Sequence, residues 1–293
     1  MRYRFRISYH AQINMWGILF VLPSLAFFVA FKFWPMGEAF ALSFYNADLL
    51  TPSRFVGLGN YAALLNDHLF SQSVDASVYY VVGTVVPIWI LSLLFALAFN
   101  QALRAKNIWR LLYFIPVIMS QIAVALVWKF MYHPDGLVNT FLHSVGLEKL
   151  NWLTSEKTAM LALLLPGIWR GTPYFMIIFL AGLQAIPTQY YEAARIDGAT
   201  GFKAFWRITF PLLKNTTVLV IVMSIIIGIK VFLNPMVMTG GGPAGATRVL
   251  PLLIYQTGFE FFKMGRASAM SMLMFLAMMT FTLVQLRLFR HQE

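Results

Sequence analysis

Val78-Tyr-Tyr-Val-Val-Gly-Thr-Val-Val-Pro-Ile-Trp-Ile-Leu-Ser-Leu-Leu-Phe-Ala-Leu-Ala-Phe99 carries no charged side chain. A helix needs ~20 mostly apolar residues to cross a hydrocarbon core of ~30 Å, so this run predicts a transmembrane span. Pro87 would argue against a helix in water. Packed membrane helices tolerate it because neighbouring groups satisfy the freed carbonyl. Working outward, comparable runs lie at Met15–Trp34, Leu111–Met131, Ala159–Leu183, Thr216–Leu233 and Ala267–Leu288, with Pro116, Pro166 and Pro173 inside them. The expected fold is an all-α integral membrane protein of about six transmembrane helices, forming a single transmembrane domain over residues 1–293.

Composition agrees with a bilayer as the solvent. Of 293 residues, 59% are hydrophobic and 11% charged, far from an average soluble domain. The chain has no cysteine, and its five histidines lack paired ligand spacing, so neither a disulfide framework nor a metal motif is expected. A net charge of +11 suggests nucleic acid only superficially. In an apolar chain it reflects cytoplasmic loops rich in Lys and Arg, so no nucleic-acid partner is expected.

Arg2, Arg4 and Arg6 ahead of an apolar run, with Ala39-Phe40-Ala41 beyond it, have the outline of a signal peptide. The run exceeds the usual apolar region of ~7–15 residues, and Lys32, Trp34 and Pro35 separate it from the alanines, so an uncleaved first span is expected.

With an even number of spans, both termini share a side with Arg2, Arg4, Arg6, Arg104, Lys106, Arg110, Arg195, Lys203, Arg207, Lys214, Arg287 and Arg290. The opposite side carries fewer cations and most carboxylates, among them Glu38, Asp67, Asp75, Asp135 and Glu156. The bias toward positive charge inside therefore places both termini in the cytoplasm. The loop 184–215 between spans four and five then also lies inside.

That loop contains Ile186-Pro-Thr-Gln-Tyr-Tyr-Glu-Ala-Ala-Arg-Ile-Asp-Gly-Ala-Thr-Gly-Phe-Lys-Ala-Phe-Trp-Arg-Ile-Thr-Phe-Pro211. It reads as two short helices meeting at glycine. Thr188 and Thr200 are expected as N-caps, Gly198 as a C-terminal stop and Pro211 as the entry to the next span. Ala194 and Gly198, four apart, would share a face with almost no side chain, open to close approach by another backbone. Phe202, Phe205 and Trp206 form an apolar stripe.

These residues resemble a motif of the permease subunits of bacterial ATP-binding-cassette importers, in the carbohydrate-uptake group that includes maltose-type transporters. The family pattern is Glu-Ala-Ala, three residues, Gly, nine residues, then Ile-x-Leu-Pro. It is met at Glu192, Ala193, Ala194, Gly198, Ile208 and Pro211, with Phe210 in place of leucine. Thr239-Gly-Gly-Gly-Pro243, which includes Gly240, Gly241 and Gly242, and Phe55-Val-Gly-Leu-Gly-Asn-Tyr61 are similar to two further stretches of the group.

The resemblance implies a coupling helix, with those six motif residues as docking positions for an ATP-binding subunit. It also implies a second, non-identical permease, two ATP-binding subunits, an external solute-binding protein and residence in the bacterial inner membrane. The cargo would be a carbohydrate: an oligosaccharide, acidic ones included, or a related sugar or polyol. No Gly-x-x-x-x-Gly-Lys-Ser/Thr loop occurs in the chain, so ATP and Mg are expected in the partner ATPases, no cofactor on this chain, and no enzymatic activity of its own.

Arg170 and Lys230 sit in apolar stretches, where a cation costs about 2.5–3.5 kcal/mol at mid-helix. Each can line a water-filled pathway or pair with a carbonyl at a broken helix, and Lys230, like Lys32 and Lys129, is near enough to a span end to snorkel. Trp169, Tyr174 and Phe175 beside Arg170 suit stacking on a sugar ring, although aromatics in membrane helices are commonly core. Trp169, Arg170, Tyr174, Lys230 and Asn234 are the candidate pathway residues. Gly240, Gly241, Gly242 and Pro243 suit an external turn or an anion nest. No Asp or Glu falls in an expected span, which weakens the alternative of a proton-coupled secondary transporter. A channel filter or an intramembrane catalytic constellation is equally unsupported.

Overall fold

The computed structural model describes residues 9–48, 51–101 and 105–290. Arg2, Arg4, Arg6 and Arg104, on which the orientation argument partly leans, lie outside the described residues. Among the described residues four helices are long and apolar enough to cross a membrane: Ile13–Leu42, His68–Asn100, Glu156–Gln184 and Met264–Gln285. Two bent pairs, Asn107–Ile118 with Gln121–Met131 at 94° and Phe202–Leu212 with Lys214–Ile229 at 66°, raise the number to six when each pair is one span.

Two expected spans are thus corrected. The helix expected over Leu111–Met131 breaks at Met119 and Ser120, whose ψ angles of 145° and 132° are extended. Pro116 removes the N–H that would hold the Leu112 carbonyl, which weakens the helix just ahead of the break. The span expected over Thr216–Leu233 ends at Ile229, with Lys230 as its C-cap, and a separate turn of helix runs over Leu233–Met238. Pro235 cannot donate back toward Val231, but it is tolerated in the first turn of a new helix.

The chain forms two compact units. The first takes the described part of 1–64 together with 254–276. Its helix Tyr9–Phe28 continues through a wide turn, Val29–Phe33, into Trp34–Leu42, passing the expected end at Trp34. The Trp34 N–H bonds the Val29 carbonyl five residues back, and this widening immediately precedes Pro35, whose ring would crowd a regular turn. An antiparallel hairpin follows, Tyr45–Asp48 with Thr51–Phe55. Asn60 Nδ2 donates to the carbonyls of Ser43 at 2.8 Å and Tyr45 at 2.9 Å, and Tyr61 Oη donates to Ser43 Oγ at 2.7 Å. The stretch Phe55–Tyr61 is therefore a clasp that fixes the hairpin to the end of the first helix.

The second unit takes the described part of 65–253 and 277–293, and its centre is the packing of His68–Asn100 against Glu156–Gln184. Lipid is as apolar as leucine, so close van der Waals approach rather than the hydrophobic effect must hold such helices together. The seam is accordingly built on glycine. A methyl at Gly167 would lie 2.5 Å from Tyr80 Oη, one at Gly171 2.7 Å from Ile88 Cδ1 and one at Gly83 2.6 Å from Leu164 Cδ1. Gly167 and Gly171, four apart on one face, make a Gly-x-x-x-Gly motif. Lys214–Ile229 joins through Gly182, where a methyl would meet Thr216 Oγ1 at 2.6 Å, and through Gly228, which packs on Val81. The apolar core falls into two clusters, one around Tyr80, Ala125, Tyr132 and Leu163, the other around Ile88, Phe175, Phe179 and Leu213.

The loop after Met131 is organised by Asn139, which is 0% exposed. Its Oδ1 accepts from the Leu150 N–H and Trp152 Nε1, and its Nδ2 donates to the carbonyls of His133 and Leu150, which uses its full bonding capacity.

Gly167→Ala should destabilise the assembled protein by about 1–3 kcal/mol, because the Tyr80 ring cannot swing aside without disturbing the core. Thermal unfolding of the purified complex measures this. Adding Tyr80→Phe, which deletes the clashing hydroxyl, should recover much of the loss, whereas Gly83→Ala, facing only the flexible end of Leu164, should be milder.

Candidate functional site

Between the three packed helices of the second unit lies a cavity of about 450 Å³. Tyr80, Thr84 and Ile88 come from His68–Asn100, while Pro166, Gly167, Arg170, Gly171, Tyr174 and Phe175 come from Glu156–Gln184. Ser224, Ile227 and Gly228 come from Lys214–Ile229, and Lys230 and Asn234 from the break beyond it. Val117 and Gln121 flank the 94° bend. Four of the five expected pathway residues, Arg170, Tyr174, Lys230 and Asn234, therefore meet in one place. Trp169 does not line it; its ring meets Trp128 edge-on at 6.0 Å.

Arg170 reaches the broken helix. Its Nη2 donates to the Val117 carbonyl at 3.5 Å, a long bond to a group in the last turn of Lys106–Ile118 that has no helical N–H of its own. Two other cations repeat the arrangement. Arg110 Nη2 donates to the Phe99 carbonyl at 2.7 Å, near the end of His68–Asn100, and Lys129 Nζ to the Val237 carbonyl at 3.1 Å, near the end of Leu233–Met238. Lys129, expected to snorkel, is exposed in the last turn of its helix and bonds a carbonyl there. Lys230 stands at the C-cap of its helix, where the macrodipole favours positive charge, rather than inside a span.

Asn234 is 4% exposed and its Oδ1 has no partner, and Arg170 Nε is likewise buried and unpaired. Such groups are uncommon in finished interiors and mark places where a ligand or water completes the bonding. Sequence reasoning missed Tyr80, Thr84, Gln121 and Ser224 as lining residues. The available signal was polar side chains at helical spacing within apolar runs, of which Tyr80 and Thr84 are one pair.

The loop 184–215 contains the expected short helix, at Thr188–Ile196. Its caps differ from expectation. Pro187 is the N-cap, so Thr188 is already helical, and Gly201, not Thr200, precedes the next turn. Its C-terminus is as expected: Gly198, at φ +72°, donates to the Arg195 carbonyl, and Ala199 donates to the Ala194 carbonyl at 2.7 Å. This paired closure needs a left-handed residue, which glycine supplies without strain.

Glu192, Ala193, Gly198 and Pro211 are exposed, Ile208 is half-buried, and Ala194 is 6% exposed. Ala194 therefore faces this chain rather than a free surface shared with Gly198. Tyr191 Oη and Thr209 Oγ1 lie 3.1 Å apart and tie the short helix to the next segment. Phe205 packs into the core, while Phe202 and Trp206 stay exposed, so the apolar stripe is only partly buried.

Gly240–Pro243 forms a turn, closed by the Gly242 N–H on the Thr239 carbonyl at 3.2 Å and by Thr247 Oγ1 on the Gly242 carbonyl at 2.7 Å. Gln72 Nε2 donates to the Ala244 carbonyl and the Leu250 N–H donates to Ser77 Oγ, which anchors the loop to His68–Asn100.

A multi-span helical body whose broken helices enclose a mostly apolar cavity with a few converging polar and cationic groups has the architecture of a membrane transport protein. Residues 58–293 match the binding-protein-dependent transport system inner membrane component family, and the chain belongs to that family. It is 36% identical over 282 residues to the trehalose/maltose transport system permease protein MalF of Thermococcus litoralis, covering 94% of each chain. It is 34% identical over 274 residues to the sn-glycerol-3-phosphate transport system permease protein UgpA of Agrobacterium fabrum, covering 92% of each. The probable ABC transporter permease protein YurN of Bacillus subtilis is 33% identical over 278 residues, covering 93% of this chain and 95% of that one. A chain of a bacterial alginate ABC transporter, solved in complex with an alginate pentasaccharide-bound periplasmic protein, shares the fold at a TM-score of 0.85 and 20% identity, covering 96% of each chain. These relatives are permease subunits rather than ATPases, and the chain is an inner-membrane permease.

Gly198→Val should weaken the closure of the short helix, since a β-branched side chain at φ +72° is strained by roughly 1–2 kcal/mol or more. Hydrogen exchange at the Ala199 amide should rise several-fold, with Gly198→Asn, a residue tolerant of that conformation, affected least.

Proposed function

We propose that this chain is one of two non-identical permeases of an ATP-driven importer for a carbohydrate or related polyol, delivered by an external solute-binding protein. The relatives named for trehalose/maltose and sn-glycerol-3-phosphate transport support that cargo class. Both termini and the loop 184–215 lie in the cytoplasm, as the Lys and Arg bias argues. The cavity around Arg170, Tyr174, Lys230 and Asn234 is this subunit's share of the cargo pathway. ATP and Mg reside in two separate ATP-binding subunits, and this chain catalyses nothing itself.

The observation that carries the reading is the helix Thr188–Ile196, which is tied to the membrane body through Tyr191 and Ala194 yet leaves Glu192, Ala193 and Gly198 outward. In this account it docks on an ATP-binding subunit. Its anchored side transmits motion and its free side makes contact, with Ile208 and Pro211 setting the path of the chain into the following helix. ATP can drive transport only by favouring one conformer over the other, so this contact must differ in strength between the two.

The test is ATPase activity of the complete complex in lipid, with and without cargo-loaded binding protein. Ala193→Trp adds bulk on the exposed side without touching the core or a strained backbone. It should reduce stimulated turnover at least tenfold or release the ATP-binding subunits, while leaving the fold intact by thermal unfolding. Undiminished stimulation and transport would remove the docking role.

A further inference from the structure

Resting on the reading of the cavity as part of the cargo pathway, we infer that it takes a hydroxylated anion: a sugar acid or a sugar or polyol phosphate. The acidic group engages Arg170 and Lys230, and a hydroxyl donates to Asn234 Oδ1. The cavity is lined by two cations and no carboxylate. Of the Arg170 guanidinium, Nη2 is engaged by the Val117 carbonyl, but Nε–H is buried and unpaired. Among the described residues no acceptor pairs with Lys230, which is exposed at its helix C-terminus. Helix-end carbonyls orient these cations but carry only partial charge, so they do not neutralise them.

A neutral sugar would satisfy the hydrogen bonds but leave the part-buried Arg170 charge, with its unpaired Nε–H, and the neighbouring Lys230 charge without a counter-charge. An anion offsets both, most strongly at the part-buried guanidinium, and two like charges lining one cleft favour it over a neutral ligand. Asn234 Oδ1, an acceptor without a donor, then distinguishes a hydroxyl-bearing anion from a bare one. Position argues against a lipid headgroup as the source of the anion. Arg170 lies fourteen residues from each end of Glu156–Gln184, about 21 Å at 1.5 Å per residue, which is mid-membrane depth. The cavity's volume of about 450 Å³ also falls in the range of small-molecule sites.

The test is equilibrium binding of labelled glucuronate, glycerol 3-phosphate and glucose to the complete permease–ATPase complex in nanodiscs, without binding protein. At least one anion should bind tenfold or more tightly than glucose, with affinity falling as salt rises; the two anions separate carboxylate from phosphate recognition. Lys230→Gln and Arg170→Gln should each lower that preference at least tenfold, and Lys230→Arg should keep it. Glucose binding as tightly as both anions would overturn the anionic assignment while leaving the pathway reading in place. A preference untouched by either glutamine variant would overturn the role of these two residues, and binding of none of the three probes would overturn the proposal.

Discussion

A helix that ends inside a membrane leaves carbonyl groups that neither water nor the next turn can satisfy, and each such group is expensive in hydrocarbon. This chain ends helices near its own cavity, at Ile118 and at Ile229, and it contains no carboxylate in those segments to pair with cations. The two shortages resolve each other. Arg170 supplies the Val117 carbonyl at the 94° break, while Lys129 and Arg110 do the same for the Val237 and Phe99 carbonyls near other helix ends, so helix ends and cations are one design. A straight helix through Met119 and Ser120 would strand Arg170, and removing Arg170 would strand the Val117 carbonyl.

The glycine seam makes the breaks useful. Gly167 and Gly171 bring Glu156–Gln184 close to His68–Asn100, and the same stretch presents Arg170 and Tyr174 to the cavity. Gly182, near the end of that helix, keeps it in close contact with Lys214–Ile229, and the loop that runs between these two helices contains Thr188–Ile196. Cavity wall and short helix thus belong to one continuous stretch of tightly packed chain. A push on the short helix has a direct mechanical route to the residues that line the cavity.

Much of this was legible beforehand. Apolar runs located the helices, and the Glu192-to-Pro211 spacing located the short helix and its glycine closure, because both depend on local chemistry. Arg170, Lys230 and Asn234 stood out as polar groups in apolar surroundings, and the cavity brings them together. Three things were not legible. The 94° bend at Met119 and Ser120 depends on a carbonyl being satisfied from Arg170, far along the chain. The inward orientation of Ala194 is set by tertiary packing, since a helix of nine residues has too little periodicity to fix its buried face. Asn139, fully buried and fully bonded, reads in the sequence as an ordinary loop residue.

The central claim is that the cavity among the broken helices is an aqueous passage whose access changes with nucleotide. Because the chain has no cysteine, single cysteines can be placed without background, at Ile227 on the cavity wall and at Leu94, exposed away from it. The most direct measurement is the rate of labelling by a membrane-impermeant thiol reagent in the complete complex, with and without ATP. The account predicts rapid labelling of Ile227→Cys that changes at least severalfold with ATP, and slow, nucleotide-independent labelling of Leu94→Cys. Equal rates at the two positions, or no labelling of Ile227→Cys from either side of the membrane in any nucleotide state, would contradict it.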